Sequence, residues 1–237
     1  MILLKQFPRS KQFVNLSFFC SKLECFLRMT DLPYEIKWVL NPRTMPRGKL
    51  PVVVVDGETI ADSSIIIEKL KSKFQLKIDE HISEHAKLNG ILLQRTLEDH
   101  LVPIILYFRW QSDLNWPQFR DLAFAKLPGL VRPLISSLAR KDLIKRLRKM
   151  GVGRMTATEL LDAARLDLAA CDQFLGEKQY FFGERPSSFD AVAFGVLGNC
   201  RLPVTPELRD LMAQFPRLNR FVDRMLDIYF PDLGISN

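Results

Sequence analysis

Two residues near the start of the chain, Ser17 and Cys20, could stabilise or form a nucleophile. They lie where a strand pattern gives way to a helical pattern, and the positive end of a helix N-terminus stabilises an anion such as a thiolate. Ser17 would equally serve as a helix N-cap, and Cys20 as a small core residue. Because no full Cys-x-x-Cys pair is present at this turn, the sequence argues against a dithiol redox cycle. Ser17 and Cys20 remain the candidate catalytic residues.

A proline stands directly in front of an apolar strand pattern, in the segment Gly48-Lys49-Leu50-Pro51 followed by four valines. Proline cannot donate to a sheet ladder, but it is tolerated at the first residue of a strand. A cis bond before Pro51 would turn the neighbouring backbone groups outward, where a ligand's backbone could pair with Leu50. An ordinary trans proline that opens the strand is the alternative.

Asp62 and Ser63 precede the apolar helical run that begins at Ile65. The unpaired N–H groups and the positive dipole end of a helix N-terminus attract a carboxylate. A bound anion therefore fits this position, and simple capping of the helix explains the same residues.

Further along the chain, Leu106, Tyr107, Phe108 and Trp110 form an aromatic-rich cluster. Such a cluster could line a hydrophobic pocket, with Tyr107 and Trp110 as its candidate substrate contacts. Core packing explains these side chains equally well.

The elements that must position these residues divide the chain in two. Residues 1–75 alternate short apolar runs with helical patterns: strands at 2–6, 34–39, 52–55 and 59–61, and helices at about 17–29 and from 63 to about 74. Asp56-Gly57 predicts a tight hairpin, because both residues tolerate positive φ angles. The order is βαβ followed by ββα, which predicts an α/β first domain.

Residues 80–237 contain helical patterns and no convincing strand, which predicts an all-α second domain. The segment from Thr156 to Leu175 is strongly amphipathic. Ser187 and Asp190 have the spacing of a capping box, and the run after them is almost entirely apolar. We expect this run to form the central helix of the second domain.

Composition narrows the function classes. No apolar stretch approaches the roughly 18 residues of a membrane span, and the N-terminus lacks the pattern of a cleavable signal. Four scattered cysteines predict no disulfide framework, and no Cys or His spacing predicts a metal site, so we expect a cytoplasmic protein. The net charge of +7 favours anionic partners. We expect the basic run between Arg140 and Lys149 to be a solvated helix face, and we expect neither nucleic-acid binding nor integral membrane association.

These motifs together resemble a known family. The order of strand, Ser17-to-Cys20 turn, helix, strand, Gly48-Lys49-Leu50-Pro51, Asp56-Gly57 and Asp62-Ser63 is similar to the N-terminal domain of the glutathione transferases, and the Ser187-to-Asp190 box resembles the signature of their helical domain. More narrowly, three segments resemble the branch that contains the metaxins, the failed axon connections proteins and their bacterial relatives: Asn15 to Lys22, Leu27 to Thr30, and Tyr229 to Asp232.

The resemblance implies a thioredoxin-like first domain, an all-helical second domain, and glutathione as co-substrate without a metal. Leu50 would pair with the cysteinyl part of glutathione across a cis Pro51, Asp62 and Ser63 would hold the γ-glutamyl end, and Lys49 would reach a carboxylate. Ser17 falls on the position that activates the thiol, and Cys20 on the second position of the turn. Two departures stand out: Asp62 replaces the commoner glutamate, and the activating residue is a serine.

Three functions follow from the resemblance. The first is conjugation of glutathione to a small hydrophobic electrophile, a detoxification reaction, by a cytoplasmic protein that forms a homodimer. The second is a non-catalytic, metaxin-like binding or sorting protein with a vestigial glutathione site. The third is a thiol reductase that uses Cys20.

Overall fold

A mixed four-stranded sheet forms the first part of the chain. The computed structural model describes residues 1–10 and 12–234, and its strands are β1 (Ile2–Gln6), β2 (Tyr34–Trp38), β3 (Val52–Val55) and β4 (Glu58–Ala61). The order across the sheet is β2-β1-β3-β4, with β1 parallel to β2 and antiparallel to β3. Leu4 of β1 lies opposite Ile36 on one side and Val53 on the other. The predicted strands are therefore confirmed to within a residue at their ends.

The hairpin between β3 and β4 turns on the two residues that the sequence indicates. Asp56 has φ 49° and Gly57 has φ 80°, which is the left-handed region that this kind of turn requires. Val52 consequently pairs with Ala61, so the end of β4 lies beside the start of β3. This pairing brings Asp62, which follows β4, close to Pro51, which precedes β3.

Helices make up most of the remaining chain. Their bounds are α1 (Phe18–Met29), α2 (Ser63–Lys73), α3 (Glu84–Arg95), α4 (Val102–Leu106), α5 (Trp116–Ala123), α6 (Arg132–Met150), α7 (Ala157–Leu175), α8 (Ser188–Cys200), α9 (Pro206–Met212) and α10 (Pro216–Tyr229). Wider π-helical turns, Thr96–Leu101 and Tyr107–Gln111, precede and follow α4. No helix in the described part of the chain is both long and apolar enough to cross a membrane.

The helix α8 lies at the centre of the helical part. Every residue from Phe189 to Cys200 is buried, as its apolar sequence predicts. Its N-terminus carries the predicted capping box, in which Ser187 and Asp190 satisfy each other's backbone N–H groups. The amphipathic helix α7 begins with a second capping box, formed by Thr156 and Glu159.

The sheet part and the helical part meet mainly through α1 and α8. A Cβ atom at Gly195 would lie 2.6 Å from the carbonyl oxygen of Phe18, so only glycine permits this close approach. The buried guanidinium of Arg109 donates to the carbonyl oxygen of Leu16 ahead of α1 and to Asn199 on α8, each at 2.9 Å. Burial lowers the pKa of Arg109 to about 9.

Together, these elements confirm the predicted fold class, an α/β domain with the order βαβ-ββα followed by a helical bundle. The sheet, α1 and α2 lie between residues 2 and 73, and the following helices begin at Glu84. The boundaries at residues 75 and 80 stay predictions.

Candidate functional site

A cleft of about 210 Å³ opens where the start of β3, the end of β4 and the N-terminus of α2 meet the π-helical turn that follows α3. It lies between the sheet part and the helical part of the chain. The residues that line it are Phe19, Pro46, Arg47, Lys49, Leu50, Pro51, Ala61, Asp62, Ser63, Ser64, Glu98 and Asp99. Five of the residues predicted from the sequence are thus brought together: Lys49, Leu50, Pro51, Asp62 and Ser63.

The peptide bond between Leu50 and Pro51 is cis, as the sequence analysis anticipated. Leu50 is buried and lies just outside the sheet, whose pairing with β1 and β4 begins at Val52. The neighbouring Lys49 is exposed and borders the cleft. One wall of the cleft is therefore a short extended segment of main chain with a cation at its rim.

Asp62 occupies the N-cap position of α2 and faces the cleft. Its Oδ1 accepts hydrogen bonds from the N–H groups of Ser64 at 3.0 Å and Ile65 at 3.4 Å. Its Oδ2 lies 3.9 Å from the Nη1 atom of Arg47. The capping interpretation of Asp62 is therefore confirmed, and the side chain, 46% exposed, remains accessible.

Strained backbone occurs on both sides of this contact. Asp62 has φ 85° and Arg47 has φ 60°, a region that costs a residue with a side chain about 1 kcal/mol or more. Such strain is more frequent at ligand sites than elsewhere in proteins. The two strained residues border the same cleft, which favours a functional role for it.

A buried ionic network forms the floor of the cleft. The ammonium group of Lys22 on α1 donates to Ser64 Oγ and to Glu98 Oε1, both at 2.8 Å. Gln94 on α3 donates to the same two side chains, at 3.0 and 2.8 Å. Because the lysine is 2% exposed, this network fixes Glu98 and the first turn of α2 relative to α1.

Ser17 and Cys20 lie at the N-terminus of α1 but do not line the cleft, whereas their neighbour Phe19 does. Ser17 is half-buried and caps α1, its Oγ accepting from the Cys20 N–H at 3.4 Å. Cys20 is fully buried, and this burial raises the pKa of its thiol to about 12 despite hydrogen bonds with Ser17 and Phe7. A thiol in this state is a poor attacking group.

Tyr107 and Trp110 also lie outside the lining of the cleft. Trp110 packs against Trp116, Phe119 and Phe124 with ring centroids 5.1–6.0 Å apart. Tyr107 packs edge-on against Phe108. Core packing accounts for these contacts, and a role for the pair in substrate binding stays a prediction.

Sequence reasoning did not assign seven of the lining residues to a site: Phe19, Pro46, Arg47, Ala61, Ser64, Glu98 and Asp99. Arg47 had a local signal, since it stands between Pro46 and Gly48 only two residues before Lys49. Glu98 and Asp99 had none, because they reach the cleft through the packing of a segment about 35 residues beyond Asp62. The acidic wall of the site thus becomes visible only in the folded chain.

The lining of the cleft carries charges of both signs. Arg47 and Lys49 favour negative charge, whereas Asp62, Glu98 and Asp99 favour positive charge. This arrangement suits a ligand that carries both a carboxylate and an ammonium group. No cysteine or histidine is among the described residues that line the cleft.

Two family descriptions match the chain. Residues 18–115 match the glutathione S-transferase N-terminal domain, and residues 164–225 match the glutathione S-transferase C-terminal domain. Among solved structures, a glutathione S-transferase of Methylobacterium radiotolerans in complex with glutathione sulfonate has a TM-score of 0.64 and 19% identity. That comparison covers 100% of this chain and 96% of the other, and it shows a shared fold.

Three curated proteins illustrate the range of relatives. Failed axon connections of Drosophila melanogaster is 32% identical over 98% of this chain, which spans only 59% of that protein's length. An isoprene-epoxide glutathione S-transferase of Rhodococcus is 28% identical, covering 77% of this chain and 79% of that protein. Human metaxin-2 is 22% identical, covering 90% of this chain and 82% of that protein.

Proposed function

Because the chain belongs to the glutathione S-transferase superfamily, on the branch that resembles Failed axon connections and the metaxins, we propose that its cleft binds glutathione and that the protein transfers the glutathione thiol to a small electrophile. The observation that supports this most directly is the cleft whose lining carries charges of both signs. The γ-glutamyl end of glutathione carries a carboxylate and an ammonium group on one carbon, and its glycyl end carries a second carboxylate.

In the proposed complex, the γ-glutamyl carboxylate lies at the N-terminus of α2, against Ser63. The ammonium group faces Asp62, Glu98 and Asp99. The backbone of the cysteinyl residue runs beside Leu50 as an additional extended strand. Lys49 and Arg47 remain for the glycyl carboxylate, with which a guanidinium or ammonium group forms a charge-assisted hydrogen bond.

The proposed chemistry asks little of the protein beyond stabilising a thiolate. The Ser17 hydroxyl and the N-terminal end of α1 are the groups that would lower the pKa of the glutathione thiol. The thiolate sulfur then attacks an electrophilic carbon. With an epoxide, the class named for the Rhodococcus relative, a C–S bond forms, a C–O bond breaks and the alkoxide takes a proton from water.

Isothermal titration calorimetry with glutathione tests the binding step. We expect binding at millimolar concentrations or below, and the absence of any heat of binding at those concentrations would overturn the proposal. The α-linked tripeptide Glu-Cys-Gly, which has the same charges but no γ linkage, is the matched ligand that separates recognition of the γ-glutamyl end from general anion binding.

A turnover assay with glutathione and a small epoxide tests the transfer step. We expect conjugation by the wild-type protein, a loss of at least about tenfold in kcat for Ser17→Ala, and little change for Cys20→Ala. The opposite pattern, with Cys20→Ala inactive and Ser17→Ala unaffected, would favour a thiol reductase and contradict the buried, protonated state of Cys20.

A second candidate function is binding without turnover. It is favoured by the position of Ser17, which lies at the cap of α1 rather than in the lining of the cleft. Calorimetric binding of glutathione with no conjugation of any epoxide or aryl halide would support this candidate over the transferase. The cytoplasmic location and the homodimer remain predictions from the sequence.

A further inference from the structure

The helix α6 carries an unusual stripe of side chains along its exposed face. Leu134, Leu138, Lys141, Lys145 and Arg148 follow one another at intervals of four and three residues, which places them on one side of a helix. All five are exposed. The stripe is apolar over its first half and cationic over its second, and it extends about 21 Å along the helix axis.

The apolar half projects away from the core. In the turn before α6, Leu130 is 98% exposed, while Leu134 and Leu138 on the helix are 65% and 57% exposed. The helix is held to the rest of the chain by side chains on its other side: Ser136 and Leu147 are buried, and Arg140 donates to the carbonyl oxygens of Trp110 and Gln111. Exposing three leucines in one row is unfavourable unless something covers them.

The cationic half of the stripe is free to act on a partner. Lys141, Lys145 and Arg148 form no ion pair with any residue in the described part of the chain, and neither does the adjacent Lys149. Asp142, the acidic residue beside them on the helix, pairs instead with Arg146 at 2.8 Å. This surface therefore keeps four uncompensated positive charges next to its leucines.

We propose that α6 binds peripherally to anionic lipid bilayers, with Leu130, Leu134 and Leu138 in the interface and the cationic residues against the headgroups. Burial of leucine side chains in the interface and attraction of basic side chains to anionic headgroups both contribute to peripheral binding. The basic run alone indicated only a solvated face, and the exposed leucines change that interpretation. This inference does not depend on the function proposed for the cleft.

A second copy of the chain fits the stripe less well. Three leucine side chains supply only a small part of the roughly 800 Å² per partner that a stable interface buries. Pairing two such stripes in register would also bring like charges together, which opposes association. A negatively charged lipid surface satisfies both halves of the stripe.

Co-sedimentation with vesicles tests the proposal on the intact chain. We expect the protein to bind phosphatidylcholine vesicles containing about 30 mol% phosphatidylserine at least about tenfold more tightly than neutral phosphatidylcholine vesicles, and to bind less tightly as salt is raised. Equal affinity for the two compositions, or no binding to either, would overturn the proposal.

Two variants of the stripe locate the contact. We expect Lys141→Gln/Lys145→Gln/Arg148→Gln to weaken binding to anionic vesicles by roughly a hundredfold and Leu134→Ser/Leu138→Ser by about tenfold or more. The matched controls are Lys37→Gln/Arg43→Gln/Lys77→Gln, which removes the same charge elsewhere, and Leu88→Ser/Leu92→Ser, which removes exposed leucines from α3. Circular dichroism verifies that each variant is folded.

Two outcomes would contradict the proposal although the wild type binds vesicles. A loss for the control variants equal to that for the stripe variants would mean that net charge, not α6, drives binding. Self-association in sedimentation equilibrium that the Leu134→Ser/Leu138→Ser pair abolishes, with vesicle binding retained, would assign the stripe to a second copy of the chain.

Discussion

The N-termini of α2 and α8 both carry an aspartate whose carboxylate accepts backbone hydrogen bonds, but one carboxylate is accessible and the other is buried. Each places an aspartate in its first turn or at its N-cap, where the carboxylate accepts hydrogen bonds from backbone N–H groups. At α8, the carboxylate of Asp190 is fully buried and accepts from the Phe181 N–H, the Ser187 N–H and the Ser187 hydroxyl at 2.7–2.8 Å. At α2, Asp62 uses one oxygen for capping and directs the other toward Arg47 and the cleft.

This difference separates a structural helix N-terminus from one that can receive a ligand. At the start of α8, both oxygens of Asp190 and the Ser188 N–H find partners within the chain, which stabilises the fold. The start of α2 is strained, accessible and flanked by charged side chains, which is the arrangement of a binding site. Isosteric substitutions at the two aspartates should therefore affect different properties.

The largest expected effect is on stability. Asp190→Asn places an amide donor against N–H or O–H donors in a buried site, and we expect it to lower the free energy of unfolding by about 3 kcal/mol at about pH 4 and by less at neutral pH. Asp62→Asn keeps the oxygen that caps Ser64 and Ile65, so we expect a change below about 0.5 kcal/mol. Urea denaturation of the two variants measures both changes in the free energy of unfolding. Equal losses for the two variants would contradict the prediction.

The next effect is a pH dependence confined to α8. Burial raises the pKa of Asp190 from 3.8 to about 6, so the folded protein binds a proton more tightly than the unfolded chain does. The contribution of Asp190 to stability is therefore greatest below about pH 4 and decreases by about 3 kcal/mol as pH rises to about 6.

Urea denaturation of the wild type and Asp190→Asn between pH 3.5 and pH 7 isolates the pH-dependent contribution of Asp190 to stability, since asparagine does not titrate in that range. We expect the stability difference between them to become smaller as pH rises from about 4 to 6. A difference that grows over this window would show that the hydrogen bonds at Asp190 outweigh its burial.

An intermediate effect concerns the floor of the open site. Lys22→Met removes the cation of a buried network and leaves Glu98 with Gln94 as its remaining partner, so we expect a loss of about 2 kcal/mol in stability. Glutathione affinity should fall as well, because Glu98 and the first turn of α2 lose their fixed positions. Thermal unfolding and calorimetry on one preparation report both quantities, and unchanged affinity would exclude a positioning role for Lys22.

The smallest expected effect in free energy is the most specific for the site. Asp62→Asn removes a negative charge beside the proposed ammonium position, and we expect glutathione to bind about tenfold more weakly, or about 1.4 kcal/mol. Asp56→Asn is the matched control, since Asp56 is an exposed, positive-φ aspartate in the β3–β4 hairpin. If both variants bound glutathione equally, Asp62 would be no more than a cap.

Local signals in the sequence predicted much of the first domain. At the Leu50-Pro51 bond the sequence left the trans isomer as an alternative, because cis is the minority isomer of X-Pro bonds. The hairpin at Asp56-Gly57, and in the second domain the box at Ser187 and Asp190, each depend on residues a few positions apart. Their backbone preferences are strong enough that the tertiary structure does not override them.

What the sequence could not show depends on contacts between distant segments. Glu98 and Asp99 reach the cleft through a π-helical turn, whose wider spacing changes which side chains share a face. Whether the aromatic residues around Trp110 would form a pocket or pack on each other depended on the placement of α5. The exposure of Leu134 and Leu138 likewise follows from how α6 is attached, and not from its composition.

The buried guanidinium of Arg109, which donates to Leu16 and Asn199, makes the stability of the sheet part depend on the helical part. A fragment ending near residue 75 would lack Arg109 and would expose the flank of α1 that Gly195 allows α8 to approach. We therefore expect that the sheet part does not fold stably on its own. Instead, the two parts should melt together in a single cooperative transition, and truncation libraries should yield soluble protein only when both are retained.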